Sequence, residues 1–417
     1  MFNYKYFDDL SIELIDGDRG KNYPKNDEML EKGYCLFLNA KNVTLNGFVF
    51  DENVFITKEK DGILRKGKLN RNDIVLTTRG TIGNVGLYDD KITYDNVRIN
   101  SGMLIIRNND NNINTRYLYY QLTSPFIRNQ IFSLKTGSAQ PQIPITVLKK
   151  LKLIIPDKRI QDKIVRVMDS IINKLTLNNE INNNLYEFSN SIFKKWFIQF
   201  EYPDFNGNLK ESELGKIPED WEIGYFDDSK LTSIIKSGVD KFEGTKKYVA
   251  TADVTEKNIT NYEEVSYNEK PSRANMTPRI SSVWFAKMEN SVKNILVDSY
   301  MKDILNNYIF STGFMGVECI NNSLYYIWNI INDDKFLQEK NSLSTGTLMA
   351  GISNSTIKNY KYLIPDQNTL HKFNEIQLNI NKKIYNNSIQ NEKLSQLRDT
   401  LLPKLMNGEI DLDNIEV

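Results

Sequence analysis

The sequence predicts an α+β fold in which two repeated mixed α/β domains are separated by two long antiparallel helices. The helices are expected to form a coiled coil that makes the chain pseudo-twofold symmetric. Three observations predict this: an internal repeat, short strand-like runs in each copy, and a heptad pattern after each copy. The repeat has an offset of 209 residues. Thr136-Gly137 recurs as Thr345-Gly346, and Ile143 as Ile352. Leu151-Lys152-Leu153-Ile154-Ile155-Pro156-Asp157 recurs as Tyr360-Lys361-Tyr362-Leu363-Ile364-Pro365-Asp366. The starts agree too, since Tyr6-Phe7-Asp8-Asp9 returns as Tyr225-Phe226-Asp227-Asp228, and each run leads on to a glycine, Gly17 or Gly238. The middles agree only in character, with Asn72 to Thr77 standing about where Ile280 to Phe285 stands.

In the first copy, Tyr34 to Ala40, Ile74 to Thr78, Gly86 to Tyr88 and Met103 to Arg107 are apolar runs bounded by Gly, Asn and Asp, which predicts strands. Thr115 to Gln130 predicts a helix from Tyr117, Tyr120, Gln121 and Phe126 at steps of three and four. The second copy predicts strands at Tyr248 to Val254, Ser282 to Ala286 and Tyr308 to Ser311, and a helix at Ser323 to Ile331. Each sheet is expected to be twisted and largely antiparallel.

Apolar residues from Ile160 to Trp196 keep a heptad rhythm for about five repeats. One seam carries Ile164, Ile171, Asn178, Leu185 and Ile192; the other carries Ile160, Val167, Lys174, Ile181 and Phe188. The later copy gives Phe373, Ile380, Asn387, Leu394 and Leu401 against Ile376, Lys383, Gln390 and Leu397. Both stretches follow a proline and open on an aspartate, Asp157 or Asp366, which suits a helix start. Roughly 40 residues at ~1.5 Å each give rods of about 60 Å. A lone rod would leave its apolar seam wet, so the two should pair antiparallel. Lys174, Asn178, Lys383 and Asn387 are expected to fix the register near the middle of the pair, because polar seam residues specify partner and alignment at a cost in stability.

Composition narrows the function. The chain has 417 residues and no net charge, which excludes a polybasic nucleic-acid sponge; DNA contacts would have to come from local patches. No apolar run reaches the ~18–20 residues of a membrane-spanning helix. The start is neither a signal nor a transit peptide. Two cysteines, Cys35 and Cys319, make no disulfide framework and point to a reducing cytoplasm. One histidine, His371, leaves no His-rich metal site and no Ser-His-Asp triad; it is expected at the surface or at a helix cap. Gly62 to Lys68 has phosphate-loop spacing, but Leu69 stands where a Ser or Thr would hold magnesium, so a charged hairpin is expected there. Pro203-Asp204 with Asp228-Ser229-Lys230 is a chance-level nuclease pattern. No catalytic site and no metal site is expected.

Several segments together carry a family likeness. Asn72-Asp73-Ile74-Val75-Leu76-Thr77-Thr78-Arg79-Gly80-Thr81-Ile82-Gly83 resembles a segment that usually opens on Gly-Asp, with Asn72 departing from the glycine. Thr136-Gly137-Ser138-Ala139-Gln140-Pro141-Gln142-Ile143 resembles the closing segment of a recognition domain, and Leu148, Ile154-Ile155-Pro156 and Gln161 its exit into a helix. Glu213-Leu214-Gly215-Lys216-Ile217-Pro218-Glu219-Asp220-Trp221-Glu222 resembles the entry to a second such domain. Leu397-Arg398-Asp399-Thr400-Leu401-Leu402-Pro403-Lys404-Leu405-Met406-Asn407-Gly408-Glu409-Ile410 resembles the family's C-terminal end. The whole chain thus resembles a specificity subunit of a type I restriction-modification system. The second domain departs more, because Ile280 to Met288 lacks the Thr-Arg-Gly turn.

The resemblance implies a target recognition domain at residues 1–155, a spacer helix at 156–200, a linker at 201–224, a second recognition domain at 225–364, and a C-terminal helix and tail at 365–417. It implies a non-catalytic, cytoplasmic subunit whose two domains each read half of a split duplex DNA target. The helices would set the gap and dock two adenine-methyltransferase subunits, with restriction subunits joining that core. S-adenosylmethionine, and ATP with magnesium, would sit on those partners and not on this chain. Base reading needs side chains that reach base edges, and phosphates need cations or N–H groups. The DNA-facing candidates are Arg19, Lys21, Asn22, Tyr23, Arg79, Lys135, Ser138, Gln140 and Gln142 in the first copy. In the second copy they are Lys246, Lys247, Arg273, Asn275, Arg279, Lys287 and Thr347. Two other readings compete: a scaffold with duplicated domains, and a single-stranded nucleic-acid or RNA adaptor that uses the 11% aromatic content for stacking.

Overall fold

The computed structural model describes residues 3–134, 142–227, 230–344 and 350–410. Contacts divide it into two units, Met1–Leu177 with Gln390–Val417, and Asn178–Ile389. Each unit therefore takes a stretch of both long helices.

In the first unit, Asn3–Tyr6 pairs antiparallel with Lys152–Ile155, closing the unit where the helix begins. A four-stranded antiparallel sheet runs in the order Ile12–Asp16, Met103–Asn108, Asp73–Thr77, Val85–Tyr88. Beside it lies a three-stranded sheet with Cys35–Leu38 at its centre, antiparallel to Phe55–Ile56 and parallel to Val97–Ile99. The second unit repeats this plan. Glu222–Tyr225 pairs with Lys361–Ile364, at the same 209-residue offset for the later strand. Its four-stranded sheet runs Thr232–Ile234, Phe314–Cys319, Ser282–Ala286, Asn294–Val297. In its other sheet, Thr245–Val249 is parallel to Tyr308–Ser311, and Glu263–Ser266 and Ala274–Met276 lie at the edges.

The repeat has a physical content. Phe7 and Phe226 are both buried at the entry to their units. The Tyr117 hydroxyl donates to the Ile154 carbonyl at 2.8 Å, and Tyr326, 209 residues on, donates to Leu363 at 2.7 Å. The same buried hydrogen bond thus ties helix to closing strand in both units. Asn72 and Ser281 both take left-handed backbone (φ 70° and 56°) just before the central strand. That conformation favours glycine, and Asn tolerates it better than most residues, so the departure at Asn72 is accommodated. The glycines that follow the two starts are not equivalent. A Cβ on Gly17 would meet the Asn100 carbonyl oxygen at 2.1 Å, whereas Gly238 stands in open space.

Three expectations change. Thr115 to Gln130 is two helices, Thr115–Thr123 and Pro125–Ser133, because Pro125 takes the first position of a new helix that Ser124 caps. The strand expected at Tyr248 to Val254 is Thr245–Val249 followed by a short turn. The expected hairpin at Gly62 to Lys68 instead begins inside a helix, Lys58–Ile63, which Thr57 caps. That helix turns the Asp61 carboxylate inward, where Arg98 Nε and Lys68 Nζ each reach it at 2.5 Å. The segment 201–224 is also more than a tether. It carries an antiparallel hairpin, Leu209–Ser212 with Gly215–Pro218, and places Trp221 fully within the second unit's core.

The long helices span Lys158–Phe193 and Gln367–Met406, and the Asp157 and Asp366 side chains accept from the N–H groups of Ile160 and Thr369. The first passes directly into a wider turn at Lys194–Ile198. Within each unit their stretches run antiparallel. In the first unit Ile164, Val165 and Met168 share a core with Leu402, Leu405 and Met406. In the second, Asn387 Nδ2 donates to Asn182 Oδ1 at 2.8 Å, Ser189 Oγ donates to Gln377 Oε1 at 2.6 Å, and Phe197 meets Phe373 edge-on at 4.8 Å.

The buried face differs from the expected one in its second seam. Ile164, Ile171 and Asn178 are buried, and so are Phe373, Ile380 and Asn387. The residues beside them, however, are Gln161, Met168, Asn182 and Ser189, and Leu370, Gln377 and Ile384. The stripe from Ile160 to Phe188 lies on the flank, with Phe188 55% exposed, and Leu397 is 45% exposed. Of the four register candidates, Asn178 and Asn387 are buried, Lys174 is half-buried and Lys383 is exposed. A search for apolar rhythm selects the wrong flank here because the true seam is filled with Asn, Ser and Gln that hydrogen-bond within it. His371 is exposed near Glu375, on the first turns of its helix.

Candidate nucleic-acid interface

In the first unit the pairing brings the ends of several strands to one rim. Asp16 lies opposite Leu104, Thr77 opposite Met103, and Leu38 opposite Ile99. The loops that leave this rim are 17–24, 39–42, 65–67, 78–84 and 100–102. They are stitched together by backbone bonds, and the stitching fixes which side chains face out. The N–H groups of Thr78 and Arg79 both donate to the Gly102 carbonyl, and the Ile143 N–H donates to Thr78. Arg79 also bridges antiparallel to Gln142. Thr77 Oγ1 donates to the Thr81 carbonyl and closes the turn from inside. Arg19 Nη2 reaches the Ser101 carbonyl at 3.3 Å. The buried Asp18 carboxylate accepts from the Arg65 N–H at 2.6 Å. Burial alone would raise its pKa, but backbone donors at Arg65, Arg19 and Lys66 hold it below the usual range.

The side chains of Arg19, Lys21, Arg65, Lys66, Arg79 and Gln142 are left exposed around this rim. Arg19, Lys21, Arg79 and Gln142 were legible in the sequence; Arg65 and Lys66 were not, because the Gly62 to Lys68 stretch reads as a charged hairpin and nothing in it points to this rim. Asn22 is half-buried in the same loop. Tyr23 packs edge-on against Phe37 at 5.7 Å, which makes it part of a small core as well as of the loop. Lys135, Ser138 and Gln140 lie outside the described residues.

The second unit builds the same rim with two of the same backbone bonds. Lys287 N–H donates to the Gly313 carbonyl and Ile352 N–H donates to Lys287, reproducing the bonds around Thr78. Met288 bridges to Gly351 as Arg79 bridges to Gln142. Met288, 50% exposed, is therefore the structural counterpart of Arg79. The Lys287 side chain is half-buried, and burial lowers its pKa. Arg273 is exposed beside Gly313, and its carbonyl accepts from Thr312. Asn275 is half-buried next to it, its carbonyl accepting from Gly238.

Three candidates fall elsewhere. Lys247 Nζ pairs with Asp303 at 3.0 Å and lies over the rings of Tyr262 and Tyr308, in the middle of its strand and opposite the first residue of Tyr308–Ser311. Its neighbour Lys246 covers Phe242. Arg279 pairs with Glu318 at 3.0 Å, at the end of the four-stranded sheet where Ser282 begins. A lysine or arginine in a loop-like stretch is visible in sequence, but which sheet end it joins is set by strand pairing. Thr347 lies outside the described residues. Among the described residues no group of three or more His, Cys, Asp or Glu side chains is placed to hold a metal ion, and no helix is long and apolar enough to cross a membrane. Cys35 is fully buried, and burial beside Asp61 pushes its thiol up to about 12, far from reactive.

Comparisons with known proteins agree with this architecture. Residues 12–187 match the type I restriction modification DNA specificity domain. The chain is 27% identical over 372 residues to the specificity subunit of the type I restriction enzyme MjaIX of Methanocaldococcus jannaschii, covering 83% of this chain and 79% of that one. It is 24% identical to the HindI specificity subunit of Haemophilus influenzae, over 94% and 98% of the two chains. A crystal structure of a type I restriction-modification S subunit from M. genitalium shares the fold, with a TM-score of 0.59 at 15% identity over 97% and 96% of the two chains. The chain is thus built on a duplicated mixed α/β plan, and residues 12–187 match a DNA specificity domain. Along most of its length it is similar to specificity subunits of type I restriction-modification systems.

Proposed function

We propose that each unit lays its loop rim on one half of a split duplex DNA target, and that the long helices set the gap between the halves. The observation that carries this reading is the pair of equivalent rims. They share the backbone bonds at Thr78 and Lys287 and the bridge beside them but expose different side chains, Arg79 and Gln142 in one and Met288 and Gly351 in the other. A common frame with different readers is what two different half-sites require. Arg79 suits guanine, through its two-pronged donor set, or a phosphate. Arg19, Lys21, Arg65 and Lys66 would supply phosphate contacts around it.

The partners follow from the family. Two adenine-methyltransferase subunits would grip the helices, which expose Phe188 in the second unit and Leu397 in the first. Restriction subunits would join that assembly, with S-adenosylmethionine and ATP with magnesium held by the partners. This chain would then confer specificity without catalysing a step. Deleting the gene and sequencing the methylated adenines of the genome tests the reading. One bipartite adenine-methylated motif should vanish; an unchanged methylation pattern would overturn it.

A further inference from the structure

The turn at Lys287–Val292 differs in kind from its counterpart at Thr78–Gly83. The first unit's turn exposes Arg79 and Thr81, both able to hydrogen-bond. The second exposes Met288 and Val292, 50% and 51% accessible, which can offer only apolar contact and which flank the exposed Glu289 and Asn290. The means of support differ as well. The first turn relies on left-handed glycines, Gly80 and Gly83. The second is held from beneath by the helix Asp334–Ser342. Lys340 is 1% exposed, and its Nζ donates to the Ala286 carbonyl at 3.3 Å and the Ser291 carbonyl at 2.5 Å. Asn341 accepts from the Asn290 N–H at 2.9 Å and donates to its side chain at 2.8 Å. A buried ammonium is a costly way to pin a loop. It fixes the direction in which Met288 projects.

An exposed methionine on a turn anchored this firmly is an apolar probe at a defined place. In the major groove the one apolar feature that distinguishes a base pair is the thymine 5-methyl group. Resting on the two-rim reading above, we infer that Met288 is a specificity-determining residue. It contacts a thymine methyl in the second unit's half-site, where the first unit uses Arg79 to hydrogen-bond. Lys340 and Asn341 are its positioning residues.

The test uses the chain assembled with its methyltransferase subunits, and duplexes carrying the motif that the gene deletion identifies. Deoxyuridine replaces each thymine of one half-site in turn, which removes only the methyl group. Binding should weaken about three- to fivefold at one thymine, of the order expected for one buried methyl group. Met288→Ala should bind thymine and deoxyuridine duplexes alike, while Met288→Leu should keep the discrimination. Lys340→Met should lose the discrimination although Met288 is present. If no deoxyuridine weakens the wild-type complex, or if Met288→Ala discriminates as well as wild type, the inference is wrong while the two-rim reading stands. If the deletion erases no motif, it is that reading which has failed.

Discussion

The two units share a plan and differ in what holds it. In the first, a buried charge network stands behind the rim: Asp61 binds both Arg98 and Lys68, and Arg98 also donates to the carbonyls of Asp61, Leu64 and Lys66. In the second, the helix-side core that holds Phe7 and Tyr117 in the first is enlarged with aromatics, Trp221, Phe197, Phe226, Tyr326 and Phe373 lying in one cluster. The backbone bonds at Thr78 and Lys287 are nevertheless equivalent. The frame that aims the rim is therefore independent of the chemistry that stabilises it, and each unit is free to change its exposed side chains without rebuilding the turn.

The sharpest way to break the comparison is to attack the support that only one unit has. Asp61→Ala leaves Arg98 buried without its partner and should cost the first unit about 3–5 kcal/mol. All four tryptophans, Trp196, Trp221, Trp284 and Trp328, lie in the second unit. Urea unfolding should therefore show an early transition by circular dichroism and an unmoved transition by tryptophan fluorescence. Acid should do the same more gently. Burial would raise the Asp61 pKa, but the hydrogen bonds from Lys68 and Arg98 hold it below 3.8. Its contribution is thus complete above that value and is lost as the pH falls through the depressed one. Asp61→Asn should flatten that acid limb.

A middle-sized effect belongs to the helix pair. Asn387→Ala removes the donor to Asn182 and should cost the second unit about 1–2 kcal/mol, read by tryptophan fluorescence in urea. Changing both residues to leucine should recover most of that loss, because neither polar group is then stranded.

The smallest effect compares one position in both units. Ser281→Gly relieves a left-handed backbone and should stabilise the second unit by about 1 kcal/mol. Asn72→Gly should gain less, since Asn already tolerates that conformation. Equal gains at both sites would deny the difference.

Much of this was legible in the chain. The repeat located the closing strands and the starts of both long helices, and the central strands at Ile74 and Ser282 follow from apolar runs with turn residues at their ends. What stayed hidden was set by contacts distant in sequence. The polar seam of Gln377, Asn182 and Ser189 hides because amphipathic rhythm counts apolar residues only. Lys247 and Arg279 looked like free cations until strand pairing carried them to Asp303 and Glu318, away from the rim. Met288 was passed over because an apolar residue in a recognition loop gives no charge signal; its bridge to Gly351, in step with the 209-residue offset, marks it as the partner position of Arg79.

The central claim is that each rim reads its own half of the target. Sequencing methylated adenines in cells that carry Arg79→Ala, and separately Arg273→Ala, tests it most directly. The account predicts that the first variant relaxes one half of the bipartite motif and the second relaxes the other. Relaxation of the same half by both variants, or a motif untouched by either, would contradict it.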